Sequence, residues 1–169
     1  MISAILAHTP VWVWVLLAAL TALGLWQTRP RDLSLTRVMV VPRVMMALSA
    51  AGVLSAFGAA PAALLAWGAG VGVALLVVRG LVQVPGARWS PDTATLHVPG
   101  NALPLVLILG LFLIKYVVGA TLALHPQLGA DVPFAAACSL GYGLFSGTFL
   151  ARAMNLRALA GAPRALQTA

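Results

Sequence analysis

Lys115 stands in the run Leu111-Phe112-Leu113-Ile114-Lys115-Tyr116-Val117-Val118, where only Tyr116 is not a plain apolar neighbour. A charge at the centre of a membrane helix costs about 2.5–3.5 kcal/mol on insertion scales. The three acids, Asp32, Asp92 and Asp131, lie outside the apolar runs, so no carboxylate within a span can pair with Lys115. The lysine must be neutral, reach water, meet hydroxyl or carbonyl oxygens, or hold an anion. One reading makes it a substrate, ion or proton site. The other makes it a lysine turned toward an interface and solvated through a local defect. Tyr116 adjoins it in another helical direction, while Tyr142, Ser146 and Thr148 in a later run offer hydroxyl partners. Lys115, Tyr116, Tyr142 and Ser146 are therefore the expected binding residues.

Arg43, Arg79 and Arg152 each fall near the end of an apolar run. Together they make a candidate electropositive vestibule for an anion or a lipid headgroup, with Lys115 deeper along it. The plainer reading is that they snorkel to headgroup phosphates and fix orientation. His8 and His125 fall on one side of the expected topology and are weak metal or haem candidates, with no ligand-spaced pair between them; His97 falls on the other side. One cysteine, Cys138, excludes an internal disulfide and a Cys-x-x-Cys redox pair. No acidic pair, His-Glu metal motif, Gly-x-Ser-x-Gly elbow or phosphate loop occurs. The expectation is a protein that is not an enzyme and carries no cofactor, with haem binding as an alternative.

The elements that must position these residues are set by composition. The 169-residue chain is 62% hydrophobic and 8% charged, against about 25% charged in a soluble domain. A water-facing surface cannot be built from so few charges, so the chain is expected in a bilayer. The net charge of +7 belongs to membrane topology, because the arginines gather where short loops meet apolar runs; nucleic acid is not an expected partner. The first apolar run lacks a positive segment before it and reads as a retained helix rather than a signal peptide.

Spans of about 20 apolar residues cross a bilayer. Five runs qualify, at 11–27, 38–60, 62–83, 102–124 and 132–154. Open sheet edges are not tolerated in lipid, so the expected fold is all-α and polytopic in one integral membrane domain over residues 1–169. All nine arginines fall on one side of this arrangement and none on the other. The positive-inside rule then puts the N-terminus outside and the C-terminus in the cytoplasm of a bacterial inner membrane, with anionic phospholipids as partners. Trp12, Trp14, Trp26, Trp67 and Trp89 are expected at the interfaces. Between the third and fourth spans, Arg88-Trp89 and Thr95-Leu96-His97-Val98 flank Ser90-Pro91-Asp92-Thr93, which predicts a small cytoplasmic hairpin. Gly68-x3-Gly72 and Gly143-x3-Gly147 allow close helix approach, within the subunit or in a homodimer.

The chain resembles an uncharacterised family of small bacterial inner-membrane proteins, a domain of unknown function. The residues that carry this are His8-Thr9-Pro10 with Trp12, Leu25-Trp26-Gln27 before Arg29-Pro30-Arg31, Arg88-Trp89, His97-Val98-Pro99-Gly100, Phe112 with Lys115-Tyr116, and Gly143-Leu144-Phe145-Ser146-Gly147. A looser likeness to CcdC-type membrane proteins rests on the basic loop Arg29 to Arg37 and Pro42. The expected role is a small transporter or channel-like protein for an anion or proton with a polar site at Lys115. The alternatives are an accessory or assembly subunit of a membrane complex, and a haem-binding membrane protein.

Overall fold

The structure is a computed structural model and describes residues 10–161. His8 and Thr9 lie outside the described residues. Among the described residues there are six α-helices: α1 (Val11–Trp26), α2 (Leu35–Val38), α3 (Val40–Phe57), α4 (Pro61–Leu76), α5 (Leu103–Leu124) and α6 (Val132–Gly161). Three short strands, β1 (Arg31–Leu33), β2 (Arg88–Ser90) and β3 (Thr95–Val98), form a separate cap.

Each helix starts and stops for a local reason. Ser34 caps α2, its Oγ accepting from the Arg37 amide at 3.4 Å. Gly58, at φ 63°, ends α3, and Pro61 opens α4 in its first turn, where a missing amide costs nothing. Asn101 Oδ1 accepts from the Leu103 amide at 2.7 Å, and Asp131 Oδ1 from the Phe134 amide at 2.8 Å, so both long C-terminal helices begin on side-chain caps.

Among the described residues, four helical runs are long and apolar enough to cross a membrane: Leu35–Phe57, Pro61–Gly80, Leu103–Leu124 and Val132–Gly161. The run expected at 11–27 is helical, but α1 has 16 residues. At 1.5 Å per residue it covers about 24 Å, short of the roughly 30 Å hydrocarbon core. The third span stops early, at Leu76 followed by a 3-10 turn over Val78–Gly80. The fifth runs past 154 to Gly161. Falling hydropathy after Met154 marks a change of surroundings there, because Leu156 continues the helix into a second apolar cluster with Val38, Leu96 and Val98.

The hairpin between the third and fourth spans is present, with β2 paired to β3 as Arg88↔His97, Trp89↔Leu96 and Ser90↔Thr95. A third strand, missed in the sequence, joins it. β1 pairs antiparallel with β3 as Arg31↔Val98, Asp32↔His97 and Leu33↔Leu96, giving the order β1-β3-β2. The predominantly helical expectation therefore stands, with a small sheet across one end of the bundle. Across β1 and β3, Asp32 Oδ1 lies 2.8 Å from His97 Nδ1.

α4 and α6 make the closest helix pairing, and glycine is the reason. A Cβ on Gly143 would meet the Trp67 carbonyl, and one on Gly70 would meet the backbone of Leu140 and Leu144. Gly147 packs in the same seam, on Val71 and Ala74. Gly68 and Gly72 face away from it, with nothing within 4 Å of a Cβ at either. The outer surface of the bundle is apolar, with Leu16, Val44, Leu65, Leu76, Leu113 and Val117 exposed.

Candidate functional site

Polar side chains enter the bundle at two levels. The deeper level is a hydroxyl knot between α3, α4 and α6. Trp67 Nε1 donates to Ser49 Oγ at 2.8 Å, and Ser49 Oγ donates to the Tyr142 carbonyl at 3.0 Å. Ser146 Oγ lies 3.1 Å from Ser49 Oγ and 2.8 Å from the Tyr142 carbonyl. Trp67 is thereby a cross-helix donor. Trp12 and Trp26 are exposed, in keeping with the interface role expected of them.

Lys115 comes to this level from α5. A Cβ on Gly52 would lie 3.5 Å from Lys115 Nζ and 3.7 Å from Tyr142 Cζ, so the lysine tip and the tyrosine ring both border the gap Gly52 leaves. Lys115 itself is exposed on the protein surface while its end rests on α3. Of the expected set, Lys115 and Tyr142 share the space at Gly52. The Ser146 hydroxyl is committed to the knot, Thr148 Oγ1 donates to the Leu144 carbonyl at 2.7 Å, and Tyr116 stacks on Phe112 at 6.3 Å between ring centroids.

The second level lies at the sheet end. A cavity of about 50 Å³ opens there between the C-terminus of α1, strand β1, the starts of α2, α3 and α5, and the last third of α6. Its polar lining is Gln27, Arg31, Arg37 and Arg152, and no acid lines it. Arg31 Nη2 donates to Gln27 Oε1 at 3.1 Å, and its guanidinium lies 5.2 Å from the Trp26 ring centroid. Among the described residues, Arg31 Nε and Nη1, Gln27 Nε2 and Arg152 Nη1 are buried with no hydrogen-bond partner. Gln27 and Arg152 are each only 7% exposed. Burial pushes the Arg31 guanidinium below its ordinary pKa, yet arginine stays charged near neutrality.

Four orphaned donors around one small cavity are unusual, because a buried unsatisfied donor costs about 1–3 kcal/mol and more when charged. The arrangement can accept an anion. Asp32 is the nearest acid in sequence, but strand alternation turns it from Arg31 to the opposite face, where it meets His97.

Arg43, Arg79 and Arg152 do not form the expected vestibule. Arg43 follows cavity-lining Pro42 by one residue, and the roughly 100° helical step turns it outward, where it is exposed. Arg79 Nε donates to Asn155 Oδ1 at 2.9 Å, while Asn155 Nδ2 donates back to the Arg79 carbonyl at 2.8 Å, which closes the end of the Pro61–Gly80 run. Arg152 alone reaches the cavity, where its companions are Arg31 and Gln27. Lys115 does not lie along a polar corridor from it. Tyr142, at the lysine level, is ten residues before Arg152, about 15 Å along α6, and the buried Met45, Ile108, Leu111 and Phe149 occupy the stretch between.

Sequence reasoning missed Arg31 and Gln27 as site residues. Gln27 read as the polar end of a span, and Arg31 as one more topology arginine. Their four-residue spacing, with Pro30 keeping Arg29 out of the helical region and so ending the helix before Arg31, was the available signal. The metal candidates gain no support from position: His125 is the exposed residue after α5, and no cluster of three His, Cys, Asp or Glu side chains capable of holding a metal occurs among the described residues.

The chain matches, over residues 1–167, a family model described as a family of unknown function (DUF6622). No curated protein and no solved structure matches it. The likeness to CcdC-type proteins is not among these findings. The resemblance noted in the sequence is therefore secure at the level of the family: this chain belongs to that family of unknown function.

Proposed function

We propose that this is a non-enzymatic, anion-binding protein of the bacterial inner membrane, crossing it five times with its N-terminus outside and its C-terminus in the cytoplasm. In this reading α1 completes the fifth crossing with some local thinning of the bilayer. The arginines and the sheet lie at the cytoplasmic face. The observation that carries the reading is the cavity at Arg31, Arg152 and Gln27, with its unpartnered buried donors and no lining acid. Two guanidiniums without a counter-charge are costly to bury, and an oxyanion relieves that cost. Binding, rather than passage, is favoured by the apolar packing between the cavity and Lys115. An accessory role in a membrane complex, made dependent on the bound anion, fits the same site.

The test is thermal unfolding of the full chain in detergent, with chloride replaced by a non-coordinating anion and phosphate then added. A ligand at a hundred times its Kd stabilises by about 2.7 kcal/mol, so a rise in Tm is expected. The rise should be lost in Arg152→Gln. No rise with any oxyanion overturns the reading.

A second reading is transport of an anion or proton past Lys115. It is favoured by the lysine end resting over Gly52 beside Tyr142 at mid-helix, with no acid in the helices. In liposomes Lys115→Met should then abolish flux while leaving the fold intact; unchanged flux removes it.

A further inference from the structure

We propose that the anion held by Arg31 and Arg152 is a dianionic phosphate group, either free or at the end of a lipid as a monoester; this rests on the anion-binding reading above. Three features of the cavity select that chemistry. The first is size. Roughly 10–15 Å³ of such space holds one water-sized atom, so a cavity of about 50 Å³ accommodates about four oxygens, the number in one tetrahedral oxyanion. The enclosed space takes one such group, and whatever is esterified to it must lie outside.

The second is charge. Arg31 and Arg152 line the cavity, Arg37 stands at its exposed rim, and no acid offsets them. A dianion neutralises the two inner guanidiniums, whereas chloride, a carboxylate or a phosphodiester leaves one unmatched. The third is the donor set. Arg31 Nε and Nη1, Arg152 Nη1 and Gln27 Nε2 are four separate buried donors from three side chains. They suit an acceptor with oxygens in several directions better than a planar carboxylate. The Gln27 amide is committed to donating, because its Oε1 already accepts from Arg31.

The surroundings admit an esterified phosphate as well as a free one. Leu33, Val38, Pro42, Phe149 and Leu156 supply the apolar part of the lining. The exposed Trp26 beneath Arg31 is of the type that settles at headgroup depth.

The experiment compares probes on the delipidated full chain. Inorganic phosphate and acetate are titrated in detergent. Nanodiscs of phosphatidylcholine alone, of phosphatidylcholine with phosphatidic acid, and of phosphatidylcholine with phosphatidylglycerol are compared by retained lipid in native mass spectrometry. Phosphate is expected to bind at least about tenfold tighter than acetate, or phosphatidic acid to be retained over phosphatidylglycerol by a similar factor. The arm that responds identifies the source. The preference should vanish in Arg31→Gln and Arg152→Gln and persist in Arg157→Gln, whose side chain is exposed. The wild-type comparisons stand without any variant. Arginine does not titrate near neutrality, while a phosphomonoester takes up its second proton near a pKa of about 6, so affinity should fall as pH drops through that value. Equal binding of phosphate and acetate together with equal retention of the two lipids overturns the dianion while leaving an anion site. No binding of any probe overturns both.

Discussion

Arg31 and Gln27 are bound to each other, Nη2 to Oε1 at 3.1 Å, across the turn that links α1 to β1. That one bond fixes which end of the amide is acceptor and leaves Gln27 Nε2 as a buried donor beside Arg31 Nε and Nη1 and Arg152 Nη1. A single change can therefore supply what the cavity lacks. Gln27→Glu places a carboxylate against Arg31, and charge-assisted bonds contribute about 1.5–3 kcal/mol. Its Tm in anion-free detergent is expected to exceed that of the wild type, and its further response to phosphate to shrink. A variant less stable than wild type and still fully responsive would contradict the placement of Gln27.

The deeper knot gives an independent expectation. Ser49 accepts from Trp67 Nε1 and donates to the Tyr142 carbonyl, so Ser49→Ala leaves the indole N–H without its acceptor. Cross-helix hydrogen bonds in membranes contribute about 0.6–2 kcal/mol. A loss in that range should appear in detergent unfolding, with altered emission from Trp67. The exposed Trp12 is the control, since Trp12→Phe should leave stability unchanged.

Glycines in the same motif are expected to behave differently. A side chain at Gly143 meets the backbone of α4, so Gly143→Leu must separate α4 from α6 and cost well over about 2 kcal/mol, the range of core overpacking and more. Gly68→Ala and Gly72→Ala enter open space and gain helix propensity, near 1 kcal/mol each. If the Gly68-Gly72 face joins two copies, Gly68→Leu shifts the protein to monomer in light-scattering measurements without unfolding it; an unchanged mass assigns that face to lipid.

Much of this architecture was legible in the chain. Hydropathy places α3, α4, α5 and α6, and Pro61, Gly58 and Asp131 place their ends. The β2–β3 hairpin was legible from Ser90-Pro91-Asp92-Thr93 between two short apolar-aromatic stretches. What was hidden depends on tertiary contact. β1 is three residues long and becomes a strand only because β3 offers it an edge, 65 residues away at Asp32 and His97. Arg43, Arg79 and Arg152 look alike as arginines near span ends. Helix phase alone separates the exposed Arg43 from the buried Arg152, and Asn155, 76 residues away, captures Arg79. Lys115 stands out in the sequence as a charge isolated within an apolar helix, but the packed residues between it and Arg152 leave no trace in a linear reading.

The proposed orientation is open to labelling. In a Cys138→Ala background, Asp92→Cys in the β2–β3 turn and Gly129→Cys in the short turn before α6 lie at opposite ends of the bundle. A membrane-impermeant maleimide added to intact cells should modify the cysteine at 129 and spare that at 92. The reverse pattern would invert the topology, and modification of both would break it.

The most direct measurement of the cavity's role is a nitrogen-15 spectrum of the arginine side chains in the full-length protein, with Arg31 and Arg152 assigned by their Arg→Lys variants. The chain has nine arginines, and phosphate bound in the cavity should shift the Nε–H resonances of Arg31 and Arg152 saturably while the exposed Arg43 and Arg157 barely move. Uniformly small shifts across all of them, or no saturation at Arg31 and Arg152, would contradict an anion site there.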